Sequence, residues 1–195
     1  MRTRRSTAMR GLFAATAAAG LVAAVGSGSA ASADAGTAPA ATAPAATKTI
    51  SMRFDARGPR FSGSSSVANG QQLRIRNLSD PRKIGPHTFT LVAANVLPRS
   101  AKQMKSCFTP GKICLVGATA HELDEKTEKI GKPLVEAGLP GWDRRFSRSS
   151  KTGDSWYTEE KGEQFAQVVS AKSGTLLRYI CLVHPEMQGK IKVTG

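Results

Sequence analysis

Tyr179-Ile180-Cys181-Leu182-Val183-His184-Pro185-Glu186-Met187-Gln188-Gly189 sets a thiol, an imidazole and a thioether at spacing C-x2-H-x2-M. The run just before it alternates, with Leu177, Tyr179 and Cys181 on one face, and Ile191 and Val193 share a face just after it. Such period-2 patterns mark strands with one face in a core. The same pattern recurs far upstream. Ile50, Met52 and Phe54 alternate with polar residues, as do Leu73 and Ile75, then His87, Phe89 and Leu91, and Phe165 to Val169 follows the same style. Turn signals separate the runs at Ser62-Gly63-Ser64, Asn69-Gly70, Ser79-Asp80-Pro81 and Ser173-Gly174. The expectation is an all-β sandwich with strands at both ends of the folded region.

Between roughly residues 93 and 157 the alternation fades, and Lys, Gly, Pro and Ser become frequent. This stretch reads as a long insertion of loops and one or two helices, with a short strand at Ile113 to Val116. Thr119-Ala120-His121-Glu122 has the form of a capping box, followed by Leu123, Ile130 and Leu134 at helical spacing. Pro133 has to bend or end that helix. Trp142 and Phe146 are the side chains expected to pack the insertion on the sandwich.

Residues 1–33 read as a secretory signal rather than as part of the fold. Arg2, Arg4, Arg5 and Arg10 form a basic start, an apolar stretch runs from Gly11 to about Val25, and Ala31-Ser32-Ala33 is a cleavage signature. Arg4-Arg5 leaves twin-arginine export open beside the general route. Residues 34–47 are Ala/Thr/Pro-rich and read as a disordered tether, so the folded domain is expected over 48–195, with no membrane span in the mature form. The chain of 195 residues carries a formal charge of +14, and losing the four signal arginines leaves it strongly basic. Outside the cytoplasm that charge either serves solubility alone or points to an acidic protein or anionic surface, not to nucleic acid.

Export frames the three cysteines. In an oxidising compartment thiols usually pair, and an odd number leaves one over. Cys107 and Cys114 flank the turn-like Phe-Thr-Pro-Gly-Lys-Ile. A bridge there closes a loop of about eight residues, worth about 2.5 kcal/mol by chain entropy. Cys181 is then the free one. A thiolate and two imidazoles with a weak axial thioether is the ligand set of a blue-copper electron-transfer site. His184 and Met187 follow Cys181 on one loop, and His87, in Ile84-Gly85-Pro86-His87-Thr88-Phe89, is the candidate second imidazole. Zinc suits a Cys-His-His group but makes no special use of the Met. A second copper centre of the oxidase kind needs more histidines than His87, His121 and His184, so no enzyme activity is expected. His121 itself, among Glu122, Asp124 and Glu125, reads as part of a solvated helix face rather than as a further metal site.

The pattern Y-x-C-x2-H-P-x-M-x-G-K-x-x-V from Tyr179 to Val193 resembles the copper-binding end of the cupredoxins, in their amicyanin and plastocyanin branch. Pro86-His87-Thr88 is similar to that family's Pro-His-Asn/Thr segment. The resemblance covers about residues 48–92 and 158–195. It implies a Greek-key cupredoxin-like β-sandwich with a long loop/helix insertion between His87 and the Cys-His-Met loop. It implies one type I copper ion on His87, Cys181, His184 and Met187, and one-electron transfer through His184. The expected protein is thus an exported monomeric electron carrier with an acidic redox partner. A copper scavenger or chaperone using the same ligands is the alternative. Two departures stand out: the length of the insertion, and Glu186 where amicyanin carries an aromatic residue.

Overall fold

The computed structural model describes residues 46–195. The expected signal segment and nearly all of the tether lie outside the described residues. The first half of the chain runs β1 (Lys48–Asp55), β2 (Gly58–Gly63), β3 (Ser66–Ala68), β4 (Gln72–Asn77), α1 (Pro81–Ile84) and β5 (His87–Val92). Then follow α2 (Ala101–Lys105), α3 (Ile113–Ala120), β6 (Leu123–Asp124), β7 (Lys129–Ile130) and β8 (Leu134–Val135). The chain closes with β9 (Ser155–Thr158), β10 (Gln164–Val168), β11 (Leu176–Ile180) and β12 (Gln188–Thr194).

These strands make a sandwich of two mixed sheets. One is four-stranded, in the order β10-β4-β1-β2, and the other six-stranded, in the order β3-β12-β11-β5-β9-β8. From β2 to β5 the chain changes sheet at every strand, which places β1 beside β4 and β3 beside β12 in parallel pairs. The alternating apolar positions meet between the sheets. Ile50, Met52, Leu73 and Ile75 face Phe89, Leu91, Leu177, Tyr179, Ile191 and Val193, all buried in one cluster. Burying each such large side chain is worth roughly 1.5–3 kcal/mol, so this layer supplies most of the drive to fold. Phe54, in phase with Ile50 and Met52, lies near the end of β1 and is exposed. The architecture is the expected β-sandwich with an insertion.

All six residues of β5 are buried. Half-burial was expected of it, but its outer face is covered as well. A second apolar cluster joins Val92, Ile180 and Leu182 of the sandwich to Cys107, Ile113, Cys114 and Phe146. Cys107 and Cys114 are joined by a disulfide. Phe146 bonds both ways along the strand, its N–H donating to the Leu91 carbonyl and its own carbonyl accepting from Ala93 N–H. Trp142 enters the main core beside Phe89, as a T-shaped pair with centroids 5.0 Å apart. The loop around it is tied down by buried Asp154, whose carboxylate accepts the N–H groups of Ala137, Asp143 and Arg144 at 3.0, 2.8 and 2.7 Å.

Two expectations for the middle of the chain fail locally. Residues 113–120 form helix α3 rather than a strand, seated on the sandwich where Gly117 meets Leu182. A Cβ at Gly117 would stand 2.5 Å from Leu182 Cδ1, so any larger residue would force that side chain to shift. The helix expected after Thr119 does not form. Thr119 sits in the last turn of α3 and its hydroxyl donates to the Leu115 carbonyl one turn back. Glu122 then takes a left-handed φ of 57°, and β6 and β7 form a small hairpin. The true capping box is Ser100–Gln103, at the start of α2.

Candidate metal centre

The site lies where β5 begins and β11 ends. Antiparallel pairing of the two strands sets Ile180 opposite Thr90 and brings Cys181 close to His87 and Thr88. Pro86 cannot continue helix α1, and Gly85 makes the turn into β5 at φ 83°. The segment leaving β11 folds back at once. Cys181 N–H donates to the Met187 carbonyl at 2.9 Å, and Met187 N–H donates to the His184 carbonyl at 2.8 Å. Gln188 fastens the loop from outside, its amide donating to the carbonyls of Pro185 and Pro98, each at 2.7 Å. Gly189 opposes Tyr179 in the β11–β12 register. The Tyr179 ring lies across that glycine, where a Cβ would come within 2.2 Å of a ring carbon.

Three donor atoms converge. Cys181 Sγ is 3.7 Å from His87 Nδ1 and 3.5 Å from His184 Nδ1, and the three lie within 4.8 Å of one another. The imidazole rings are tilted by 46°, with centroids 4.9 Å apart. His184 Nε2 donates to the Ile84 carbonyl at 2.8 Å. A carbonyl only accepts, so in the neutral ring the lone pair is on Nδ1, facing the sulfur. His87 Nε2 is buried and bonds to no protein atom. Met187 is buried in the same apolar cluster as Cys181.

The electrostatics suit a neutral His87 imidazole and a sulfur that ionises only with help. Burial, and next the neighbouring His184, pull the His87 pKa down to about 4, so its ring is uncharged at neutral pH. Burial pushes the Cys181 thiol up, against N–H groups of Thr88, His184 and Val183 and the Thr88 hydroxyl. Thr88 N–H donates to the sulfur at 3.3 Å. A buried thiol of this kind is inert until a cation displaces its proton. No carboxylate belongs to the cluster, so oxygen-seeking calcium and magnesium are poorly matched. One soft sulfur with two imidazole nitrogens matches copper or zinc.

Three of the four expected residues, His87, Cys181 and His184, converge, Met187 shares the buried cluster and a backbone hydrogen bond with Cys181, and Cys181 is a free buried thiol. His121 corrects an expectation. Its acidic neighbours Glu122, Asp124 and Glu125 are exposed, but His121 ends helix α3 with its ring turned inward and is 1 % exposed. It bonds the Lys132 carbonyl through Nδ1 at 2.6 Å and Ser155 Oγ through Nε2 at 2.7 Å. Sequence alone carries no sign of this, because both partners arrive from later parts of the chain.

Fold and cluster together define a two-sheet β-sandwich with a histidine–cysteine–histidine group at one end. No protein-family model matches the sequence, and no curated protein matches it. Among solved structures the chain is similar to an auracyanin B, at 16% identity over 78% of this chain and 91% of that one, with a TM-score of 0.40. It is similar to auracyanin A, a "blue" copper protein from the green thermophilic photosynthetic bacterium Chloroflexus aurantiacus, at 17% identity over 76% and 98%, with a TM-score of 0.38. A dithionite-reduced auracyanin from the photosynthetic bacterium Roseiflexus castenholzii matches at 14% identity over 76% and 97%, with a TM-score of 0.36.

Proposed function

We propose that this chain is an exported blue copper protein that holds one copper ion and carries single electrons between redox partners. The observation that carries the reading is the convergence of Cys181 Sγ with the Nδ1 atoms of His87 and His184 within 4.8 Å, with no carboxylate among them. Zinc would serve the same three donors, but the soft thioether of Met187 in the same loop favours copper. Bound copper would supply the one-electron couple. The chain supplies a fixed frame for it.

That frame comes from both sides of the fold. His87 is locked in β5, and Cys181, His184 and Met187 sit on a loop closed by its own backbone hydrogen bonds. Rigid donors limit rearrangement between oxidation states, which is what fast electron exchange requires. His87, Cys181 and Met187 are buried, and His184 is only half-buried, which supports electron passage through His184. Its Nε2 bonds helix α1, whose Arg82 and Lys83 are exposed. Positive charge beside the exit supports an acidic partner. The basic, apolar start of the chain and Ala31-Ser32-Ala33 support export. Among the described residues no helix is long and apolar enough to cross a membrane.

The test is titration of the mature protein with Cu(II), followed by cycles of chemical reduction and reoxidation. Electron carriage predicts an intense visible absorption that vanishes and returns with each cycle. A coloured complex that exchanges electrons with no donor or acceptor would point instead to copper capture.

A further inference from the structure

A continuous run of buried polar side chains links the insertion to the Cys181 sulfur. It begins at His121 Nε2, 2.7 Å from Ser155 Oγ. Ser155 Oγ is 2.6 Å from Thr90 Oγ1, and Thr90 Oγ1 donates to Thr88 Oγ1 at 3.1 Å. Thr88 Oγ1 accepts the Leu182 N–H at 2.7 Å, and Thr88 N–H donates to Cys181 Sγ at 3.3 Å. His121, Ser155, Thr90 and Thr88 are each no more than 2 % exposed. Hydroxyls rarely line up in a core unless each satisfies the next, because a buried unpaired one is costly to desolvate.

The run has a direction, and proton counting shows what sets it. His121 Nδ1 is 2.6 Å from the Lys132 carbonyl, so it carries a proton. With Thr90 donating to Thr88, Ser155 donates to Thr90 and has to accept from His121. Nε2 then needs a proton too, which a neutral imidazole lacks. If Nε2 accepts from Ser155 instead, Thr90 turns to Ser155, and Thr88 Oγ1 loses one of its two donors, keeping only the Leu182 N–H. The bonds at Thr88, next to the sulfur, therefore depend on the state of a ring on the far side of β5. Three other groups bear on that ring. Burial, and after it the charge of Lys132, opposes a second proton, the Tyr157 ring has its centroid 6.1 Å away, and the Tyr157 hydroxyl donates to Glu159. Glu122 follows in the chain.

We propose that His121 is a positioning residue for Cys181, acting through Ser155, Thr90 and Thr88 to set the hydrogen bonds that reach the sulfur. Its consequence for potential rests on the copper reading above, whereas the chain itself does not. Hydrogen bonding around the cysteine sulfur tunes the potential of such sites. The insertion thereby acts on the redox centre without contributing a ligand.

The test compares His121→Phe, Thr90→Val and the double variant with the parent, and uses Tyr157→Phe as a neighbour outside the run. In the metal-free protein, NMR reads the Leu182 and Thr88 amide protons and the His121 ring nitrogens. The expected result is that Thr90→Val moves the His121 ring nitrogens, and that the amide shifts of the double variant match those of Thr90→Val alone. In the copper-loaded protein, each single variant should change the one-electron equilibrium about threefold, equivalent to about 28 mV. The double variant should add nothing further. Additive shifts, or ring nitrogens blind to Thr90→Val, would overturn the proposal. Should His121→Phe fail to fold, Ser155→Ala breaks the same run and takes its place. Failure to bind copper would contradict the proposed function, and the metal-free arm would still decide this inference.

Discussion

The two faces of β5 differ in chemistry though they share one strand. The inner face, His87, Phe89 and Leu91, meets the other sheet and is held by apolar packing. The outer face, Thr88, Thr90 and Val92, meets the insertion and is held largely by hydroxyls that bond to one another, to Ser155 and to Leu182 N–H. Both are buried. The inner face shows how a core forms from alternation alone. The outer face shows that polar residues at alternate positions do not establish exposure, because a distant segment can satisfy them. The presumed metal ligand His87 and the hydroxyl next to the sulfur, on Thr88, stand on opposite faces, so one strand positions both the site and its surroundings.

Breaking the inner face should cost most. Phe89→Ala removes a ring packed on Trp142, Tyr179 and Phe61. A loss of about 4 kcal/mol is expected in urea unfolding. On the outer side the largest effect should come from Asp154→Ala, which leaves the N–H groups of Ala137, Asp143 and Arg144 without their acceptor. About 3 kcal/mol is expected, with hydrogen exchange rising first in residues 136–144.

Acid should weaken the metal-free protein more gradually. In the unfolded chain His87 returns to its ordinary value of 6.5, whereas in the fold burial and His184 hold it at about 4. Between those values the unfolded state binds a proton that the folded state refuses. This contribution to stability is therefore intact above pH 6.5 and is lost as pH falls toward 4. Buried His121 shifts in the same direction. Urea midpoints measured from pH 7.5 downward should fall across this window, and the slope should flatten in His87→Gln. The smallest effect is expected of Gly117→Ala. The new methyl group meets only side-chain atoms of Leu182 and no backbone, so a cost of about 1 kcal/mol should appear in thermal melts.

Legibility in the sequence followed the same division. The strands of the main core were readable because Ile50, Met52, Leu73, Ile75, Phe89 and Leu91 obey period 2, a local property. The metal-site candidates were readable because three of them lie within seven residues, Cys181 to Met187, and Pro86-His87 stands on an alternating strand. The insertion was not. Thr119 and Glu122 satisfy the spacing of a capping box, yet the helix ends there instead of starting, since Gly117 packs on Leu182 and the Cys107–Cys114 bridge anchors the start of α3. His121 looked solvated because its sequence neighbours are charged. Its actual partners, Lys132 and Ser155, are brought to it only by the tertiary fold.

The central claim is that Cys181, His87, His184 and Met187 hold copper through a thiolate bond. Its most direct test is the visible spectrum after an equimolar addition of Cu(II) to the mature protein and to its Cys181→Ser variant. The account predicts an intense thiolate-to-copper absorption in the first and none in the second. A colourless parent protein, or a band that survives Cys181→Ser unchanged, would contradict it.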